Sequence, residues 1–357
     1  MRSSKTLVIL SPGFPENEAD STCLPAQQAL VKALNDNFPA LNIIILAFEY
    51  PFISSTYQWY SNKVISIGGK NRRKLYRLHT WWKTWRQLKK IRTENEVIGI
   101  FSFWCGDCAL LGKYFSKAHN IKHFTWILGQ DARPTNNMIR YIRPSPQSLV
   151  AISDFLVQEF KRSHNILPAH VIPIAVDVTD FSPATVSVDI DILGAGSLIP
   201  LKQYEIFIEI ISALKEYYPD IKAGICGKGP EEEKLQLLIE QHQLQNNLQL
   251  YGEKPHNQVM QFMQRSRILL HPSSYEGFGL VMLEALYAGA QVVSFCRPMI
   301  ADIPHWYIVK DKEAMLQQIL ELLQQPAINR DQVLPFDINK SAKSIMALFD
   351  YSEDITS

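Results

Sequence analysis

The 357-residue sequence has no long apolar run, and no uncharged stretch approaches the roughly 18 residues that a bilayer span requires. A membrane-crossing helix is therefore not expected. The opening "MRSSKTLVILSPGFP" lacks the longer apolar core and the small-residue cleavage site of a secretory signal, so it reads as a first buried strand and the protein as cytoplasmic. Cysteine is scarce and odd in number, five in all, which argues against a disulfide framework. There is no G-x-G-x-x-G fingerprint, because Ile199 stands where "GAG" would need its third glycine, and no G-x-x-x-x-G-K-[ST] loop. Internal repeats and low-complexity tracts are missing too. Lys70 to Arg92 contains ten Lys or Arg and no acid, which leaves 26 basic against 35 acidic residues elsewhere. A nucleic-acid-binding face would spread its positive charge more widely, so no nucleic-acid partner is expected.

The composition, 46% apolar and 20% charged, is that of a soluble globular protein. The length suits two domains of roughly 150–180 residues. Short β-branched and aromatic runs ("TLVILSP", "NIIILAF", "EVIGIFSF", "KHFTWILG", "SLVAIS") alternate with helical patterns. After the polar, turn-rich "VDVTDFSPATVSVD" the alternation starts again with "IDILGAG", "IKAGICGKG", "LQLYGE", "RILLHPS" and "QVVSF". This predicts an α/β protein with two doubly wound parallel sheets, residues 1–178 and 179–335, and a C-terminal helix within 336–357 that packs back on the first domain. Ligands of open parallel sheets bind beyond the carboxyl ends of the strands. "SPGFPEN", "GAGSLIPLK", "CGKGPE", "YGEK" and "HPSSYEGFG" all fall there, and a cleft between the domains is the expected site.

In "SSYEGFGLVMLEALYAG", Gly277 and Gly279 free the backbone to turn, and helical spacing then begins. Glu276 lies in the loop and Glu284 inside the helix. The free N–H groups at 278–281 suit a phosphate, Glu284 a ribose diol, and Glu276 hydroxyls beyond the phosphate. A capped helix with a solvated Glu explains these residues alone equally well. Lys202, at a strand-to-helix junction, is placed to neutralise a diphosphate. Gly227 and Gly229 permit close backbone approach.

These segments, in this order, resemble the large retaining GT-B glycosyltransferase family marked by an E-x7-E motif, the group 1 or family 4-like enzymes. "VIPIAVDVTDFSP", "AGSLIPLKQYEIFIE", "GKGPEEEKLQLL" and "YEGFGLVMLEALYAGAQVV" carry the likeness, which covers residues 149–295. The resemblance implies that Glu276 contacts the donor sugar, Glu284 the ribose, and Lys202 the diphosphate. It also implies backbone contacts from Gly277, Phe278, Gly279 and Leu280, a base-holding loop at Glu253 and Lys254, and a phosphate-side glycine at Gly13. Ser197 stands where the family has a diphosphate-binding Arg, with Lys228 or Arg297 as a candidate second cation. Ile174 and Ala175 replace the linker's Asn-Gly, and Leu128 a sugar-facing His. The donor substrate is then a nucleotide-sugar and the acceptor a saccharide or lipid-linked glycan. No cofactor and no metal are expected, because no Asp-x-Asp loop stands beside the donor segments. The rivals are a nucleotide-sugar epimerase or hydrolase and a non-catalytic sugar-nucleotide-binding protein.

On the acceptor side, Asp107 in "WCGDC" and Asp131 in "GQDARP" end strands, where helix capping is the alternative to orienting a hydroxyl. "WCGDC" also places a C-x-x-C before a helix, the context of a redox thiol pair, but that reading leaves the second domain without a purpose. Zinc is disfavoured because Cys23, Cys226 and Cys296 form no second pair. In 70–92, Leu78, Trp81, Trp82, Trp85 and Leu88 recur at helical spacing among cations, which predicts an interfacial helix lying on an anionic membrane surface. A helix packed on the sheet is the alternative.

Overall fold

The computed structural model describes residues 5–353 except 21–22, 73–74, 177, 179–180, 182–185 and 326–328. The chain forms two units, residues 1–175 with 336–357, and residues 176–335. They divide at 175/176, where the sequence analysis places the boundary at 178/179; Thr179 and most of "VDVTDFSP" lie outside the described residues.

Eight strands make the sheet of the first unit: β1 (Lys5–Gly13), β2 (Asn42–Tyr50), β3 (Ser55–Trp59), β4 (Asn62–Ser66), β5 (Glu96–Phe103), β6 (Lys122–Ile127), β7 (Leu149–Ala151) and β8 (His170–Val171). Their order is β3-β4-β2-β1-β5-β6-β7-β8. All pairs are parallel except β3 with β4. That hairpin is absent from the strands read off the sequence. Its two-residue turn, Tyr60–Ser61, lacks the Asn-Gly or Gly-X signal of hairpins, and Tyr60 takes a left-handed φ of 49° without a glycine's freedom.

Helix Leu75–Glu94 covers one face of this sheet, with Leu88 and Ile91 buried in a core that includes Val8, Leu46, Ile100 and Phe115. The aromatic face expected for this helix is split. Trp81 and Trp85 pack against the core, and the Trp85 ring meets Phe115 at 5.1 Å, whereas Trp82 and Leu78 are more than half exposed. At 100° per residue, positions 81, 85 and 88 share a stripe; 78 and 82 fall beside it, facing water. Helix Ile338–Leu348 packs against helix Pro25–Asn37 in the first unit, burying Ala342, Ile345 and Met346. Just beyond it, the Phe349 ring lies 5.1 Å from Phe124.

The second unit holds β9 (Ile190–Ala195), β10 (Ala223–Cys226), β11 (Leu248–Gly252), β12 (Ser266–His271), β13 (Gln291–Ser294) and β14 (Trp306–Ile308), all parallel, in the order β11-β10-β9-β12-β13-β14. From β9 the chain winds outward one way to β11, then restarts at β12 and winds the other way. The winding therefore reverses between β9 and β12, and sheets of this kind bind their ligands in a crevice at the carboxyl ends of such a pair. In the first unit the same reversal falls between β1 and β5.

Candidate functional site

In the second unit the crevice loops are 196–203, after β9, and 272–279, after β12. They are fastened at one carbonyl: Leu201 O accepts from Ser274 N at 3.0 Å, Ser274 Oγ at 3.1 Å and Ser273 Oγ at 3.2 Å. The turn Pro200–Lys202 and the helix Tyr204–Lys215 follow on one side. The fastening brings Lys202 Nζ onto Glu276 Oε1 as an ion pair, with both side chains 16% exposed. The same oxygen also accepts from His271 Nε2 at 2.9 Å, at the end of β12. A carboxylate only accepts, so Nε2 carries the hydrogen.

This surrounding sets the charge of Glu276. Burial alone would raise its pKa, but the His271 hydrogen bond and the Lys202 charge outweigh burial and hold it down to about 2. Burial acts the other way on His271, which is shifted below the ordinary imidazole range and is neutral at pH 7. Two buried polar atoms near Glu276, His271 Nδ1 and the Tyr204 hydroxyl, have no hydrogen-bond partner among the described residues.

Glu284 sits in helix Leu280–Tyr287, 7% exposed, with Oε1 2.8 Å from His256 Nε2. The helix starts at Gly279, whose φ of 86° lies in the left-handed region. Gly277, Phe278 and Gly279 are buried and lead directly into its first amide groups. On the other side of the β9 loop, a Cβ at Gly227 would stand 1.9 Å from Gly196 O, so the loops after β9 and β10 touch backbone to backbone only because residue 227 has no side chain.

The remaining donor-side residues lie around the same strand ends. Ser197 and Lys228 are exposed, and Lys228 O accepts from Leu198 N at 3.0 Å. Glu253 is exposed and Lys254 half-buried, its charge reaching Cys226 at the end of β10. Arg297 is paired with Asp302 at 3.0 Å on the surface. Reading the sequence alone missed His271, His256 and Tyr204. A histidine closing the apolar run "RILLH" was the available signal for the first; nothing marked the other two.

In the first unit, Gly13 ends β1 at the switch point and faces Tyr50 across the parallel pair. Asp107 is the first residue of helix Asp107–His119; Gly106 is its cap, and Asp107 pairs with Arg77, whose Nε lies 2.8 Å and 3.0 Å from its two oxygens. Asp131 accepts from Leu128 N at 2.9 Å inside a buried turn, and burial pushes its carboxyl up to about 7 against backbone hydrogen bonds from Leu128 and Cys105. Neither aspartate caps a helix through its side chain. Leu128 is buried. Burial also pushes the Cys105 and Cys108 thiols far up, the reverse of what a reactive pair needs.

Known proteins resemble this chain in sequence and in fold. Residues 179–333 match the family model described as glycosyl transferases group 1. A phosphatidylinositol N-acetylglucosaminyltransferase chain from Arabidopsis thaliana is 27% identical over 164 residues, 44% of this chain and 37% of that protein. The gpi3 subunit of the same activity from Schizosaccharomyces pombe is 26% identical over 219 residues, 57% of this chain and 47% of that one. The chain thus spans less than half the length of these curated relatives. Among solved structures, sucrose-phosphate synthase from Thermosynechococcus elongatus superposes with a TM-score of 0.71 at 16% identity, covering 97% of this chain and 95% of its own. Anabaena HepE in complex with UDP and glucose gives 0.64 at 14% identity, covering 96% and 95%. The fold of this chain is that of GT-B glycosyltransferases. The likeness to the glycosyl transferases group 1 family thus lies in residues 179–333, within the second unit.

Proposed function

We propose that the chain is a retaining, metal-independent glycosyltransferase that moves a hexosyl group from a nucleotide-sugar to a saccharide or lipid-linked acceptor in envelope glycan synthesis. The observation that carries this reading is the Lys202–Glu276–His271 cluster at the β9/β12 switch point, followed in the next helix by buried Glu284. Support also comes from the relatives named for N-acetylglucosaminyl transfer and from HepE with UDP and glucose.

A diphosphate entering the crevice offers Lys202 a partner of higher charge than Glu276. Lys202 then neutralises the leaving group while Glu276, held ionised and oriented by His271, accepts hydrogen bonds from the sugar hydroxyls. The bond from the anomeric carbon to the diphosphate oxygen breaks and its electron pair leaves with the diphosphate. The acceptor oxygen attacks the same face, and its proton passes to the departing oxygen. The protein supplies position and charge.

A panel of nucleotide-sugars with an acceptor analogue tests this, with the product's anomeric configuration read by NMR. Retained configuration in an acceptor-linked product is expected, and added chelator should leave turnover unchanged. Sugar released to water or epimerised, binding without turnover, or activity restored to a chelated enzyme by Mg²⁺ would each overturn part of it.

An anionic membrane surface on the cytoplasmic side belongs to the same proposal. No helix among the described residues is long and apolar enough to cross a membrane. On helix Leu75–Glu94, however, exposed Leu78 and Trp82 continue one row along the helix into Arg86 and Lys90, and the Arg86 guanidinium lies 4.8 Å over the Trp82 ring. The row offers apolar contact at one end and cations at the other.

A further inference from the structure

The proposed chemistry assigns His256 no role, and its position gives it one. It is the first residue of helix His256–Gln264, immediately after the 253–255 loop that leaves β11. Its ring reaches the neighbouring helix Leu280–Tyr287, where Nε2 lies 2.8 Å from Glu284 Oε1. The carboxylate is 9% exposed and the imidazole 21% exposed, so this hydrogen bond is made in a largely water-excluded place. A buried carboxylate has few ways to satisfy its lone pairs, and the partner on one oxygen decides where the other oxygen points.

From this arrangement we infer that His256 is a positioning residue for the donor's ribose. By occupying Oε1 it fixes the rotamer of Glu284 and leaves Oε2 as the oxygen that accepts from a ribose hydroxyl. Because His256 is joined directly to the loop at Glu253 and Lys254, it also couples the place proposed for the base to the place proposed for the sugar of the nucleoside. The inference rests on the donor-site reading above. It adds to that reading that Glu284 does not act alone: the hydrogen bond from His256 is part of the ribose site, and a nucleotide senses both residues as one unit.

The test is calorimetry with whichever of UDP, GDP and ADP wild type binds most tightly, on His256→Ala, His256→Gln, Glu284→Ala and the His256→Ala/Glu284→Ala double variant. His256→Ala should weaken binding about three- to tenfold, the lower part of the range of coupling between contacting residues. In turnover the same variant should raise donor KM and leave kcat nearly unchanged. The amide nitrogen of Gln reaches the place of Nε2, so His256→Gln should restore most of the loss. In the double variant the His256 change should cost almost nothing further, since its effect runs through Glu284. Additive losses, or no rescue by Gln at an unchanged melting temperature, would overturn the role of His256 while leaving the donor site standing. Wild-type affinity in Glu284→Ala, or a wild type that binds none of the three nucleotides, would overturn the donor-site reading itself.

Discussion

Replacing Lys202 by Met removes the charge and keeps most of the side chain's bulk, so it isolates what the ion pair with Glu276 contributes to folding. Glu276 titrates at about 2 in the folded protein against an ordinary value of 4.5. Its pKa is depressed by folding, so its stabilising contribution is present above pH 4.5 and is lost as pH falls through about 2. The full difference corresponds to about 3 kcal/mol at pH 7. Without Lys202 the hydrogen bond from His271 still opposes burial, so the carboxyl should rise only part of the way back and forfeit a part of that difference, about 1–2 kcal/mol. For a unit of this size the loss lowers the melting temperature of its transition by roughly 2–8 °C. Calorimetric scans of wild type and Lys202→Met between pH 7 and pH 3 provide the check. The gap between the two should shrink by pH 3, where wild-type Glu276 has already lost part of its advantage. A gap that stays constant across that range would refute the reasoning, because it would mean that Lys202 stabilises through packing and not through the carboxylate's charge.

Glu284→Ala should raise donor KM roughly ten- to a hundredfold with a smaller effect on kcat, because a hydrogen bond to the ribose is held alike in ground and transition states; steady-state kinetics decide. Trp82→Ser should abolish sedimentation with anionic liposomes while Trp85→Ser lowers thermal stability and leaves sedimentation intact, since only Trp82 faces outward. Equal loss of sedimentation in both would return the helix to a single aromatic face. Gly227→Ala should abolish nucleotide binding and lower the melting temperature of the second unit, as the added Cβ cannot stand 1.9 Å from Gly196 O without moving a loop; unchanged binding would show that those loops separate freely.

The sequence carried the parts of the site that depend on local order. Lys202, Glu276 and Glu284 lie at fixed places in strand-loop-helix units, and a parallel sheet sends every such loop to one end. What it did not carry are pairings between residues distant in the chain. Asp107 looks like a free acid at a strand end until Arg77, thirty residues earlier, is seen to hold it. His256 and Glu284 are twenty-eight residues apart and meet only because two helices pack side by side. The tryptophans of helix Leu75–Glu94 show a related limit. Their spacing reveals a helix, but neighbours in sequence such as Trp81 and Trp82 fall on opposite sides of the line between core and solvent, and only the sheet beneath decides where that line runs.

The helix Ile338–Leu348 belongs to the first unit although 160 residues of the second stand between it and residue 175. During synthesis, the surface that will receive Ile345, Met346 and Phe349 therefore emerges from the ribosome well before its cover. At about 5–20 residues per second the delay is roughly 10–30 s. By the end of that interval the second unit has its whole sequence and can close its own core, while Phe124 and the helix Pro25–Asn37 still await the helix that covers them. The unit begun first is the one completed last.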